Sequence, residues 1–175
     1  FKPFVYTAAI DGPKDLSPCY TMKDEFFEVE VENEKGEMEM WRPGNANGSF
    51  SGREMPLKRA LASSINSITA RLTNDVGADT VMYYAQKMGI KSPLKPVASI
   101  GLGSFDVSLF EMIGAYSAFV NEGIHVEPML VTEIKDQNGK VIQTFESTAT
   151  RVIKKESAQL VRSMLEGVIH EGGTA

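Results

Sequence analysis

The sequence predicts an α+β chain in which helices dominate. Apolar residues recur at helical spacing over at least four segments. Only two places read as short β-hairpins, each a pair of alternating runs around a turn. Nothing reads as the continuously apolar strands of a buried central sheet. The chain has 175 residues, of which 42% are hydrophobic, enough for one domain with its own core.

The first helix is expected over residues 1–10. Pro3 is tolerated there because first-turn N–H groups lack intrahelical partners. Asp11-Gly12-Pro13 stops it. Phe26–Val31 alternates apolar and acidic residues, Asn33-Glu34-Lys35-Gly36 turns, and Met38–Trp41 alternates again, which predicts a hairpin. Residues 43–52 are crowded with Pro, Gly, Asn and Ser and read as a loop. Pro56 suits a first helical turn, and Leu57, Leu61, Ile65, Ile68 and Leu72 follow at helical spacing. A further helix runs from about Asp79 to Met88 and ends at Gly89. Ser108-Leu109-Phe110-Glu111 is a capping box that opens a helix reaching Val120, with Gly123 beyond it. Val131–Ile134 and Val141–Phe145 flank Asn138-Gly139, a strong hairpin signal. Leu160, Val161, Met164, Leu165, Val168 and Ile169 mark the last helix, which ends at Gly172-Gly173. Its apolar positions read as core rather than as a groove, and the nine methionines as packing filler.

Composition narrows the function classes. Net charge is −5, from 23 acidic and 18 basic residues, which argues against a nucleic-acid partner. No apolar run approaches the roughly 20 residues of a membrane span. Cys19 is the one cysteine, and His125 and His170 are the two histidines. An internal disulfide is excluded, a thiolate-built metal site has nothing to draw on, and no cofactor motif is present.

The stretch Ala62-Ser63-Ser64-Ile65-Asn66-Ser67 is the most informative for chemistry. On a continuous helix Ser64 and Asn66 would point about 200° apart and could not share a site. Ser and Asn compete for backbone groups, however, and favour caps and turns. The better reading breaks the helix: Leu57–Ala62, then a turn at Ser64-Ile65-Asn66, then a new helix capped by Asn66 or Ser67. Ser64 and Asn66 then face one cleft. The plainer alternative is that these are ordinary capping residues in a helix–helix corner. Lys2 is likewise either a solvated lysine or the lysine of S-x-x-K, the first member of a serine acyl-transferase set completed by S-x-N and K-T-G.

Taken together, these segments resemble one family, the transpeptidase domain of class A penicillin-binding proteins. FKPFVYTAAIDG resembles its active-site helix, Ser-Thr-Phe-Lys-Pro followed by an aromatic and small residues. WRPGNANGSFSG resembles its Trp/Tyr-x-Pro-x-Asn loop, and MPLKRALASSINSITARL its helix leading into Ser-x-Asn. VGADTVMYYAQKMGI, SIGLGSFDVSLFEMIGAYSAFVNEG and GVIHEGGTA follow in the family's order. The acidic hairpin around residues 24–40 fits least well. The family's nucleophilic serine would lie two residues before Phe1, and its K-T-G after Ala175.

The resemblance implies a β-lactamase/DD-peptidase-like transpeptidase fold, α+β when whole. Residues 1–175 would be a partial transpeptidase domain, mainly its helical subdomain with two short β-hairpins and most of the central sheet lying outside. It implies D,D-transpeptidation of peptidoglycan stem peptides ending in D-Ala-D-Ala, with β-lactam antibiotics as the second class of ligand and no cofactor or metal. Lys2, Ser64 and Asn66 would be catalytic, and Trp41 and Asn45 would line the substrate cleft. By itself the chain would be inactive, and its remaining partner would be the missing segments of its own domain. The parent would act outside the cytoplasm, held by a membrane anchor and preceded by a glycosyltransferase domain. Two rivals stay open: a serine β-lactamase or β-lactam sensor, for which no deacylating Glu stands out, and a non-catalytic binding module.

Overall fold

The computed structural model describes residues 1–32, 35–170 and 172–174. Its centre is a helix with no polar face. In α1 (Lys2–Asp11) every residue from Pro3 to Ile10 is buried. A helix that is apolar all round must be enclosed on all sides, and α2 (Leu57–Ala62), α3 (Asn66–Val76), α4 (Ala78–Lys87) and α6 (Lys155–His170) all pack on it. Together with α5 (Leu109–Val120), these helices contribute to one buried cluster that includes Phe4, Leu57, Ile68, Val81, Phe119 and Val161.

The expected helices are present to within a few residues. The capping box forms: Ser108 Oγ accepts from Glu111 N at 3.2 Å, and Ser108 N donates to Glu111 Oε2 at 2.9 Å. Gly89 has φ +110°, as the end of α4 requires. A 3₁₀ turn at Ala98–Leu102, which the sequence did not mark, settles between α3 and α4. Its Gly101 is packed so closely that a Cβ would meet Thr73 Oγ1 at 2.1 Å and Val5 Cγ2 at 2.8 Å.

Among the described residues eight short strands form four antiparallel pairs, not two. The two expected hairpins are β2 (Val29–Glu32) with β3 (Met38–Trp41), and β6 (Glu133–Lys135) with β7 (Val141–Thr144). Asn33 and Glu34 of the first turn lie outside the described residues. The other two pairs join distant segments. β1 (Thr21–Lys23) pairs with β4 (Glu54–Pro56), Met22 opposite Met55, and β5 (Ile124–Val126) pairs with β8 (Ala149–Arg151). Each is three residues long, too short to show a period. Pro56 closes β4 and, in the same extended geometry, takes the N-cap position of α2 instead of its first turn.

The last helix departs from expectation on one face. Val161 and Met164 are core, but Leu160 and Ile169 are exposed. Its outer face and that of α5 border an open apolar groove of about 690 Å³ lined by Leu109, Ile113, Tyr116, Val120, Leu165 and Ile169. Met38 and Met40 are also exposed and fill no core gap. Among the described residues no helix is long and apolar enough to cross a membrane.

Candidate active site

The corner between α2 and α3 has the predicted break, and its backbone explains why. Ile65 N donates to Ala60 O at 3.0 Å and Ser64 N to Leu61 O at 2.9 Å. These are the two bonds of a Schellman motif, with Ser64 in the left-handed position that glycine usually takes. Ser64 has φ +53°. For an L residue this costs roughly 1–2 kcal/mol, a strain of the kind that gathers at functional sites.

Lys2 reaches this corner from the start of α1. Its Nζ donates to Ser64 O at 2.6 Å, to Ser64 Oγ at 2.8 Å and to Asn66 Oδ1 at 2.7 Å. An ammonium has three N–H donors, so all three are engaged. Asn66 Nδ2 donates to Gly44 O at 2.9 Å, which fixes the orientation of its amide from the other end. The turn thus brings Lys2, Ser64 and Asn66 into one cluster.

Burial pushes the Lys2 ammonium down to about 8, and no ion pair joins it to a carboxylate among the described residues. Roughly a tenth of the side chain is then the neutral amine at pH 7. A neutral lysine has two N–H donors and a lone pair. Of its three partners only the Ser64 hydroxyl is able to reverse and donate, because the other two are carbonyl oxygens. A proton can therefore pass between Lys2 and Ser64 without breaking the other two bonds.

Asn45 lies one hydrogen bond away. The expectation that Asn66 or Ser67 caps α3 is corrected here. Ile65 occupies the cap position with no side-chain cap bond of its own. The oxygen that caps the helix comes from Asn45, whose Oδ1 accepts from Asn66 N at 2.9 Å and Ser67 N at 3.1 Å. Asn45 Nδ2 donates to Asp24 Oδ1 at 2.8 Å and Ser49 O at 3.0 Å. Trp41 is half-buried at the end of β3, opposite Val29. Among the described residues no hydrogen bond or ring contact joins it to the Lys2 cluster.

Sequence reasoning missed Asp24 and read Ser67 only as a candidate cap. Asp24 is 3% exposed and accepts from Ser67 Oγ at 2.7 Å, from Asn45 Nδ2 and from Ser51 N at 2.8 Å. Burial acts to raise its pKa, but the hydrogen bonds from Ser67, Ser51 and Asn45 outweigh it and hold the carboxyl below its usual value. No local signal separates Asp24 from Glu25 or Glu28, and only the return of the 45–51 loop does so. Among the described residues no His, Cys, Asp or Glu group is arranged to hold a metal.

The chain has counterparts among known proteins. Penicillin-binding protein 1A of Clostridium novyi is 34% identical over 137 residues, covering 75% of this chain and 16% of that protein. Penicillin-binding protein 1A of Rickettsia felis is 37% identical over 141 residues, covering 81% and 17%. The chain thus spans about a sixth of the length of these relatives. Among solved structures, penicillin-binding protein 1A from Haemophilus influenzae superposes with a TM-score of 0.85 at 26% identity, covering 99% of this chain and 29% of that one. That superposition bears out the α+β fold with a partial sheet. The penicillin binding protein transpeptidase domain model matches residues 1–175, and the chain belongs to that family.

Proposed function

We propose that the protein carrying this chain is a serine D,D-transpeptidase that cross-links peptidoglycan stem peptides outside the cytoplasm, and that β-lactams acylate the same site. The observation that carries this reading is the triple bond set of Lys2 Nζ with Ser64 and Asn66. The nucleophile would be the serine of S-x-x-K, three positions before Lys2, one turn away on the same helix face.

In acylation the serine oxygen attacks the carbonyl of D-Ala-D-Ala, and its proton passes to the neutral amine of Lys2. The peptide C–N bond breaks, and Ser64 relays the proton from Lys2 to the departing D-alanine nitrogen. In the second half an amine of another stem peptide attacks the ester. The new C–N bond forms, the serine C–O bond breaks, and the serine oxygen recovers a proton by the same relay. Asn66 holds Lys2 in place and offers its amide edge to the substrate backbone, a contribution to geometry. Trp41 borders the cleft, and Asn45 supports it from behind through Asn66. A penicillin opens its lactam C–N bond but keeps the nitrogen tethered, so the acyl-enzyme persists.

A β-lactamase of this motif set would be expected to place a deacylating Glu against the site. Among the described residues no carboxylate hydrogen-bonds directly to Lys2, Ser64 or Asn66; Asp24 is reached only through Asn45 and Ser67. This favours the transpeptidase over the β-lactamase reading. The test is covalent labelling of the full-length protein by a fluorescent penicillin. Wild type labels, Lys2→Ala folds but does not, and the 175 residues alone give no adduct. An unlabelled wild type sinks the proposal; normal labelling of Lys2→Ala removes Lys2 from the mechanism.

A further inference from the structure

Adjacent carboxylates at the end of β1 are treated in opposite ways. Glu25 is half-buried and pairs with cations, Lys23 at 3.0 Å and Arg71 at 3.1 Å. Asp24 is buried, and its hydrogen bonds come from the neutral donors Asn45, Ser51 and Ser67. A buried carboxylate without a cation is costly, and its hydrogen bonds must compensate. Its backbone is held as well: Asp24 N donates to Arg53 O at 3.0 Å, and Gly52 N donates to Asp24 O at 2.8 Å.

Those bonds lead in one direction. Asp24 Oδ1 takes the Nδ2 side of Asn45, which leaves Asn45 Oδ1 facing the first N–H groups of α3. Asp24 Oδ1 also accepts from the hydroxyl of Ser67, the second residue of α3. An anion near the first turn also suits the helix dipole. Asn66, the first residue of α3, then presents Oδ1 to Lys2, and its Nδ2 is held by Gly44, the neighbour of Asn45. Asp24 is thus two hydrogen bonds from the Asn66 backbone and makes no direct hydrogen bond to Lys2 or Ser64.

We propose that Asp24 is a positioning residue of this site: through Asn45 and Ser67 its carboxylate sets the α3 N-terminus, and with it the Asn66 amide that holds Lys2. The inference rests on the acyl-transfer reading above. It states that the ionised carboxylate matters beyond folding, because an amide in its place would turn an N–H toward at least one of the three donors. Displacement of Asn66 by a fraction of an ångström would then slow acylation without emptying the cleft.

The experiment measures penicillin acylation of the full-length protein over a range of penicillin concentrations. This separates the limiting rate constant, the half-saturating concentration and the fraction labelled. Asp24→Asn should lower the limiting rate on the order of tenfold to a hundredfold, with the half-saturating concentration nearly unchanged. Asp24→Asn/Asn45→Ala should be little slower than the slower single variant, since both act on one chain of bonds. A purely structural role would lower the labelled fraction and the melting temperature, while the fraction that labels reacts at the wild-type rate; that result overturns the proposal. If Asp24→Asn does not fold, Ser67→Ala decides. A slowed limiting rate with full labelling supports the proposal, and a wild-type rate overturns it. A wild type that never labels condemns the acyl-transfer reading instead, which keeps the two failures apart.

Discussion

Ser64 holds a backbone conformation that glycine usually takes, and its side chain is one of the three partners of Lys2. Backbone strain and a bond from Lys2 thus meet in one residue. Ser64→Ala and Ser64→Gly both remove the hydroxyl, but only alanine keeps the left-handed penalty. The glycine variant should be the more stable by about 1 kcal/mol in urea unfolding, against the usual order in which glycine destabilises. Both should lose acylation. An alanine variant as stable as the glycine one would show that the turn relaxes out of its strained form. Lys2 offers a second prediction. Its ammonium is lowered by burial from 10.5 to about 8 in the fold. Between those values the unfolded chain binds more protons than the folded one, so stability rises with pH across that window. The stability of wild type relative to Lys2→Met should therefore be flat below pH 8 and increase from 8 to 10.5. A flat difference throughout would mean that the ammonium is not desolvated.

Among the elements, α1 depends on how closely others approach it. The 3₁₀ turn at Ala98–Leu102 meets α1 and α3 through Gly101, where a Cβ would overlap Thr73 and Val5. Gly101→Ala should cost about 1–3 kcal/mol by overpacking, read as a lower urea midpoint at unchanged slope. A neutral result would mean that the turn lifts away freely. The N-terminus of α3 shows how much of an element's ending is decided elsewhere. Its break from α2 was legible, because Ser63-Ser64-Ile65-Asn66 is poor helix and both flanks are good helix. Its cap was not, because the capping oxygen comes from Asn45, 21 residues earlier. By contrast the α5 cap was legible, because Ser108 and Glu111 satisfy each other within one turn.

At the scale of the whole molecule, the α5–α6 groove leaves apolar surface open. Leu109 is 76% exposed, Ile113 59% and Ile169 66%. Serine at these three positions should change stability by no more than about 0.5 kcal/mol each, while lowering the binding of a hydrophobic dye. Undiminished dye binding would place the accessible apolar surface elsewhere. The sequence by itself determined the helices, the two local hairpins, the helix break at Ser64 and the resemblance that singled out Lys2, Ser64 and Asn66. All of these depend on residues within a turn or two of each other, or on motifs in order. Only the tertiary structure decided that β1 pairs with β4, that one face of α6 stays open, that Asn45 caps α3, and that Asp24 is buried while Glu25 is not. The physical reason is range. Propensity and periodicity act along the chain, whereas burial and hydrogen-bond partners are settled by whichever distant segment folds back. Asp24 and Lys2 owe their character to contacts 21 to 64 residues away.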